Sequence, residues 1–220
     1  MVLFSHICSF LPLVSPTGVL EPLPTGSALV TESKNKLPCS DVYVFFARGS
    51  LEPPLLGPIA TPFKQSLERI LAPRSISLSF TGIDYPNLPE YFFLGGHPLG
   101  GRTMTLAVRT TILICPMSDI IISGYSHGAQ LTHDTAFQLL PHERNRIAGV
   151  VTFGDPLYRH PLPPPLQARR LSFCHPGDNI CDGDFYDIRA AHFSYHLNAT
   201  DAAKFVAERV GRGGFGRAKL

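Results

Sequence analysis

The sequence predicts an α/β domain, a parallel sheet of five strands with helices on both faces. Five short apolar runs rich in β-branched or aromatic residues carry that expectation: Val42 to Ala47, Ile76 to Phe80, Asp119 to Ser123, Ile147 to Phe153 and Arg170 to Cys174. None alternates cleanly between apolar and polar, the pattern of strands covered on both faces. Helical spacing fills intervals between them, as a layered α/β architecture requires. Composition agrees. The 220 residues are 44% hydrophobic and 16% charged, enough apolar material for one core and too little charge for a disordered chain. With 21 prolines and 19 glycines, the chain stays below low-complexity composition. A formal charge of +2 gives no strong field for nucleic acid or anionic membrane, so a small-molecule or polymer substrate fits better.

Along the chain, residues 1–20 are apolar but interrupted by Pro12, Pro16 and Gly18, too broken to span a bilayer as a helix. They are expected to act as a secretory leader, although no Lys or Arg precedes the apolar part. Residues 21–38 read as a linker and 39–210 as the folded domain. After the first strand, Ile59, Phe63, Leu67 and Ile70 recur at helical intervals. The segment Leu88 to Leu94 follows the second strand and holds Tyr91, Phe92 and Phe93. Thr103 to Ile114 has the place of a crossover helix, against the weak helix propensity of its threonines and isoleucines. A further helix, Ala129 to Leu140, follows the third strand. Pro156, Pro161 and the run Pro163 to Pro165 forbid a regular helix after the fourth strand and imply a surface loop. A last helix runs from Ala199 to Val210. Residues 211–220 read as a flexible basic tail, its arginine-glycine stretch too short to hold an RNA strand.

Chemistry concentrates at Gly124-Tyr125-Ser126-His127-Gly128, a G-x-S-x-G that follows an expected strand and opens an expected helix. That context is the nucleophile elbow, a turn so sharp that glycines are needed beside the serine it presents. A serine hydroxyl needs an imidazole to take its proton and a carboxylate to fix the imidazole tautomer. In this architecture acid and then histidine follow the serine. Beyond the fifth strand lies Cys174-His175-Pro176-Gly177-Asp178-Asn179-Ile180-Cys181, and His192 stands eleven residues further on. Asp178 is favoured as the acid over Asp155, Asp184 and Asp187; Asp155 reads as a turn former in Gly-Asp-Pro. His192 is favoured as the base over His175 and over His196, one helical turn on. Five cysteines are present, and Cys8 would leave with a leader. Cys39, Cys115, Cys174 and Cys181 then form an even set, with three possible pairings into two disulfides.

These motifs in order, with Cys39-Ser40-Asp41-Val42 leading into Ala47-Arg48-Gly49-Ser50-Leu51-Glu52, Cys115-Pro116, Phe153-Gly154-Asp155-Pro156 and His192-Phe193-Ser194-Tyr195, resemble the cutinase family of esterases. The resemblance runs from about Cys39 to about Val210. It implies a small secreted α/β-hydrolase, a three-layer sandwich on a central parallel sheet without a large lid, in a family that also holds acetylxylan esterases. It implies Ser126 as nucleophile, Asp178 as acid and His192 as base. It pairs Cys39 with Cys115 and Cys174 with Cys181, the first closing a loop worth on the order of 4 kcal/mol. It implies an oxyanion hole from the backbone N–H of His127 and a donor from Ser50. The family usually has glutamine where this chain has His127 and commonly threonine where it has Leu51; the backbone donor at 127 survives either side chain.

The expected reaction is cofactor-free acyl transfer to Ser126 and then to water, on ester or polyester substrates, by a monomer. Aromatics of Leu88 to Leu94 and the absence of tryptophan favour cutin-like aliphatic polyesters over acetylated xylan. A neutral imidazole is required, so kcat/KM is expected to fall as pH drops through about 6 to 7. A metal site at His192 and His196 lacks a following Glu, and its cysteines have the wrong spacing. A non-catalytic surface-binding or effector protein is the remaining alternative. The sequon Asn198-Ala199-Thr200 permits glycosylation of an exported chain.

Overall fold

The computed structural model describes residues 39–211. The expected leader (1–20), the linker (21–38) and the tail beyond Gly211 lie outside the described residues. Within them, five strands form one all-parallel sheet in the order β2-β1-β3-β4-β5. They are β1 (Val42–Ala47), β2 (Leu78–Gly82), β3 (Asp119–Tyr125), β4 (Ile147–Phe153) and β5 (Arg170–Phe173). The expected second strand moves two residues along the chain, the third gains two at its end, and the fifth stops at Phe173.

Six helices accompany the sheet: α1 (Gly57–Leu71), α2 (Pro89–Phe93), α3 (Pro98–Ile114), α4 (His127–Gln138), α5 (Pro141–Arg144) and α6 (Ala199–Ala207). In β1, Val42, Val44 and Phe46 join the core beneath α1 and α6, while Phe45 and Ala47 join the core beneath α3 and α4. All seven residues of β3 and all seven of β4 are buried. This two-faced burial is why β1, β3 and β4 read as largely apolar runs, whereas the edge strands β2 and β5 are only half buried.

In α1 the row Ile59, Phe63 and Leu67 is buried; its last full contact is Leu71, with Ile70 half out. The crossover helix α3 begins five residues before its expected start, with Pro98 in its first turn, where a missing N–H costs nothing. Its threonines are accommodated because Thr105 and Thr111 turn their hydroxyls back to the carbonyls four residues earlier. Disulfides join Cys39 to Cys115 and Cys174 to Cys181, with Cα separations of 5.6 and 6.1 Å. No helix among the described residues is long and apolar enough to cross a membrane.

Candidate active site

Ser126 sits between the end of β3 and the start of α4 with φ 53°, ψ −119°, a left-handed conformation unusual for a side chain with a Cβ. Its N–H is anchored to the Phe153 carbonyl at 2.9 Å, and its own carbonyl accepts from Ala129 N–H at 2.8 Å. Glycine is required at 128, where a Cβ would collide with the carbonyl of Ala47. The turn is therefore as tight as the motif demands.

Asp178 lies in the loop closed by Cys174 and Cys181 and is 1% exposed. His192 belongs to a 3-10 turn, Ala190–Phe193, and its carbonyl accepts the Tyr125 hydroxyl at 2.9 Å. The three side chains meet. His192 Nε2 is 2.8 Å from Ser126 Oγ, and His192 Nδ1 is 2.9 Å from Asp178 Oδ2. Burial alone would raise the Asp178 carboxyl, but hydrogen bonds from His192 and Tyr195 outweigh it and hold its pKa below the usual range. The carboxyl is thus favoured in its ionised form beside the His192 ring.

Ser50 follows β1 in a loop fastened from beneath. The Arg48 guanidinium donates to the carbonyls of Glu52, Ile83 and Tyr85, and Asn87 Nδ2 donates to the carbonyls of Gly49 and Glu52. Glu52 Oε2 accepts the Gly49 N–H at 2.7 Å; burial pushes its pKa up to about 7 despite that bond and Arg48. His127 opens α4, so its N–H has no carbonyl within the helix to bond. The Ser50 hydroxyl lies 3.2 Å from His127 Nδ1, which ties the two loops together.

Other expectations need correction. Asp155 is more than a turn former: it is fully buried, with Oδ2 2.7 Å from Arg170 Nη2 and 3.0 Å from His133 Nε2, while Oδ1 accepts Leu157 N–H. His196 does not share a helical turn with His192; it belongs to a separate 3-10 turn, Tyr195–Asn198, and is exposed. Asp184 and Asp187 are exposed. His175 stacks on Tyr195 at 4.3 Å and pairs with Ser194 and Asn198. Among the described residues no group of His, Cys, Asp or Glu side chains is arranged to hold a metal ion.

Three contributors escaped sequence reasoning. Tyr195, fully buried, donates its hydroxyl to Asp178 Oδ2 at 2.5 Å. Tyr125 holds the backbone of His192. Gly154 has φ 50°, and a Cβ there would stand 2.8 Å from His192 Cε1. The motif signals for Tyr195 and Gly154 were present, since both lie in segments that carry the resemblance, but their partners are remote in sequence.

Comparison with known proteins gives one consistent answer. The family model described as Cutinase matches residues 38–210. Cutinase CUT1 of Coprinopsis cinerea is 46% identical over 185 residues, covering 84% of this chain and 92% of the relative. A cutinase of Botryotinia fuckeliana is 40% identical over 201 residues, covering 90% and 94%. Among solved structures, a Trichoderma reesei cutinase bound to a phosphonate inhibitor matches with TM-score 0.74 and 35% identity, over 79% of this chain and 78% of that one. An acetylxylan esterase shares the fold at TM-score 0.60 and 22% identity, over 79% of this chain and 100% of that one.

Proposed function

The chain belongs to the cutinase family and is a carboxylic ester hydrolase, and from that premise we propose that it cleaves cutin-like aliphatic polyesters outside the cell through an acyl-enzyme on Ser126. The observation that supports this reading most is the pair of hydrogen bonds, 2.8 and 2.9 Å, joining Ser126, His192 and Asp178 in line. Ser126 Oγ attacks the ester carbonyl carbon while its proton passes to His192 Nε2. The carbonyl oxygen becomes an oxyanion held by the N–H groups of His127 and Ser50. As the C–O bond to the leaving alcohol breaks, the imidazolium returns the proton to that oxygen. Water then attacks the acyl-enzyme, giving its proton to His192; collapse releases the carboxylic acid and restores the serine. Each step uses residues of this chain alone, without a cofactor.

The polyester assignment is supported by the rim. Leu51 adjoins Ser50, Phe193 adjoins His192, and Phe93 stacks on Tyr186 at 5.3 Å. Leu94 and Tyr186 are 77% and 88% exposed, an apolar lip suited to an aliphatic chain. Export is supported by the two disulfides and by the apolar stretch expected to act as a leader.

Release of acid from cutin, acetylated xylan and p-nitrophenyl butyrate should be compared, with organophosphonate labelling of the same protein. Cutin and the butyrate ester are expected to be cleaved, with labelling lost in Ser126→Ala. Faster deacetylation of xylan would replace the polyester assignment. Absence of both turnover and labelling would support the non-catalytic alternative.

A further inference from the structure

The imidazole of His127 is held in one tautomer by its neighbours. The backbone N–H of His97 is 3.2 Å from His127 Nε2. A peptide N–H only donates, so Nε2 must present its lone pair. In a neutral ring the proton then sits on Nδ1. Nδ1 faces Ser50 Oγ at 3.2 Å, so the imidazole donates and the hydroxyl oxygen accepts. That bond takes a lone pair of Ser50 and leaves its hydroxyl hydrogen uncommitted. The ring is also gripped mechanically: Tyr85 and Phe92 meet it edge-on, with centroids at 5.2 and 6.4 Å. The titratable or charged groups facing it are His97, Arg48 and Tyr85. Burial, with His97 and Arg48, pushes the His127 pKa down to about 4, so the neutral form persists where an ester hydrolase with a neutral base operates.

We infer that His127 is a positioning residue, whose Nδ1–H turns the Ser50 hydroxyl so that it donates a side-chain hydrogen bond to the oxyanion alongside the backbone N–H groups of Ser50 and His127. The inference rests on the Ser126 mechanism proposed above and deepens it. The imidazole at 127, and not only its amide, supports the transition state. It does so through Ser50, without touching the substrate.

The test is a mutant cycle on p-nitrophenyl butyrate. Ser50→Ala should lower kcat on the order of a hundredfold, the usual loss for one oxyanion donor. His127→Leu removes the donor to Ser50 and should lower kcat at least about tenfold with KM within about twofold. The Ser50→Ala/His127→Leu double variant should be no slower than Ser50→Ala alone, because the second residue acts through the first. His127→Asn, whose amide nitrogen falls where Nδ1 was, should recover most of the lost rate. Unchanged kcat in folded His127→Leu, or losses that multiply in the double variant, would overturn the inference. Long-range proton–nitrogen spectra of the wild-type protein labelled at histidine read the tautomer directly. A protonated Nδ1 and bare Nε2 at residue 127 are expected at neutral pH, and the reverse would refute the relay whatever the mutants do. An enzyme that cleaves the ester but carries the reverse tautomer overturns this inference alone. One that cleaves no ester overturns it together with the mechanism on which it rests.

Discussion

Replacing Asp178 with asparagine tests the proposed proton path most directly, because every neighbour of this carboxylate is a donor. Oδ2 accepts from His192 Nδ1 at 2.9 Å and from the Tyr195 hydroxyl at 2.5 Å, while Oδ1 accepts from Ile180 N–H at 3.1 Å. An asparagine must put its NH2 in one of those places. Set against Ile180, it leaves a buried N–H unpaired at about 1–3 kcal/mol. Set against His192, it meets a ring that can change tautomer and a hydroxyl that can rotate to accept, so this orientation wins. The ring then carries its proton on Nε2 and points a donor at Ser126, which loses its base. The expected loss is about 10⁴ in kcat, or about 5 kcal/mol of barrier. KM should change little, since this carboxylate is only 1% exposed. Steady-state kinetics on p-nitrophenyl butyrate, with a melting curve to verify folding, measures both. A variant that melts like the parent and keeps more than about a tenth of its kcat would refute the assignment of Asp178. Asp187→Asn, on an exposed side chain, serves as the control.

Asp155→Ala should leave the Arg170 guanidinium buried without its counter-charge and His133 Nε2 without its partner, and cost about 3–5 kcal/mol; denaturant unfolding checks this, and a loss under about 1 kcal/mol would contradict the burial argument. Tyr195→Phe removes a donor to the ionised Asp178 and the acceptor of His175 N–H at 3.0 Å, so a loss of about 2 kcal/mol is expected together with a lower kcat. Unchanged melting and unchanged kcat together would contradict that role. Glu52 gives a pH signature. Its pKa is raised from 4.5 to about 7 on folding, so its contribution is fully present below 4.5 and is lost as pH rises through about 7. The change amounts to about 3 kcal/mol. Glu52→Gln should flatten the fall in melting temperature between pH 5 and pH 8, and parallel profiles for parent and variant would refute it.

The central strands β1, β3 and β4 were legible because burial on both faces leaves a local trace, a largely apolar run, whereas the half-buried edge strands β2 and β5 carry a weaker one and their bounds shifted. The elbow was legible for the same reason: its glycines are demanded by contacts within the turn and with Ala47 just beneath it. Helix starts were less visible. The first turn of α3 holds Gly100 and Gly101, poor helix formers that are buried in the finished fold. Asp155 was half legible, since its bond to Leu157 N–H is local, whereas Arg170 and His133 lie 15 and 22 residues away. The Ser50–His127 contact spans 77 residues and leaves no local pattern. Tyr195 likewise looks like any aromatic until the chain brings it beneath Asp178.

Placing the proposed reactive groups at the carboxyl ends of parallel strands has an engineering consequence. Ser50 follows β1, Ser126 follows β3, and Asp178 and His192 follow β5, whereas the apolar lip is carried by α2 and by the turn around Tyr186. Phe93 and Leu94 thus put part of the apolar lip on a stretch of polypeptide that carries none of the proposed catalytic side chains. Replacing the exposed Phe93 and Leu94, while keeping Asn87 and Phe92 that brace the Ser50 loop and the His127 ring, would retune which material the surface wets and leave the proposed bond-breaking groups in place.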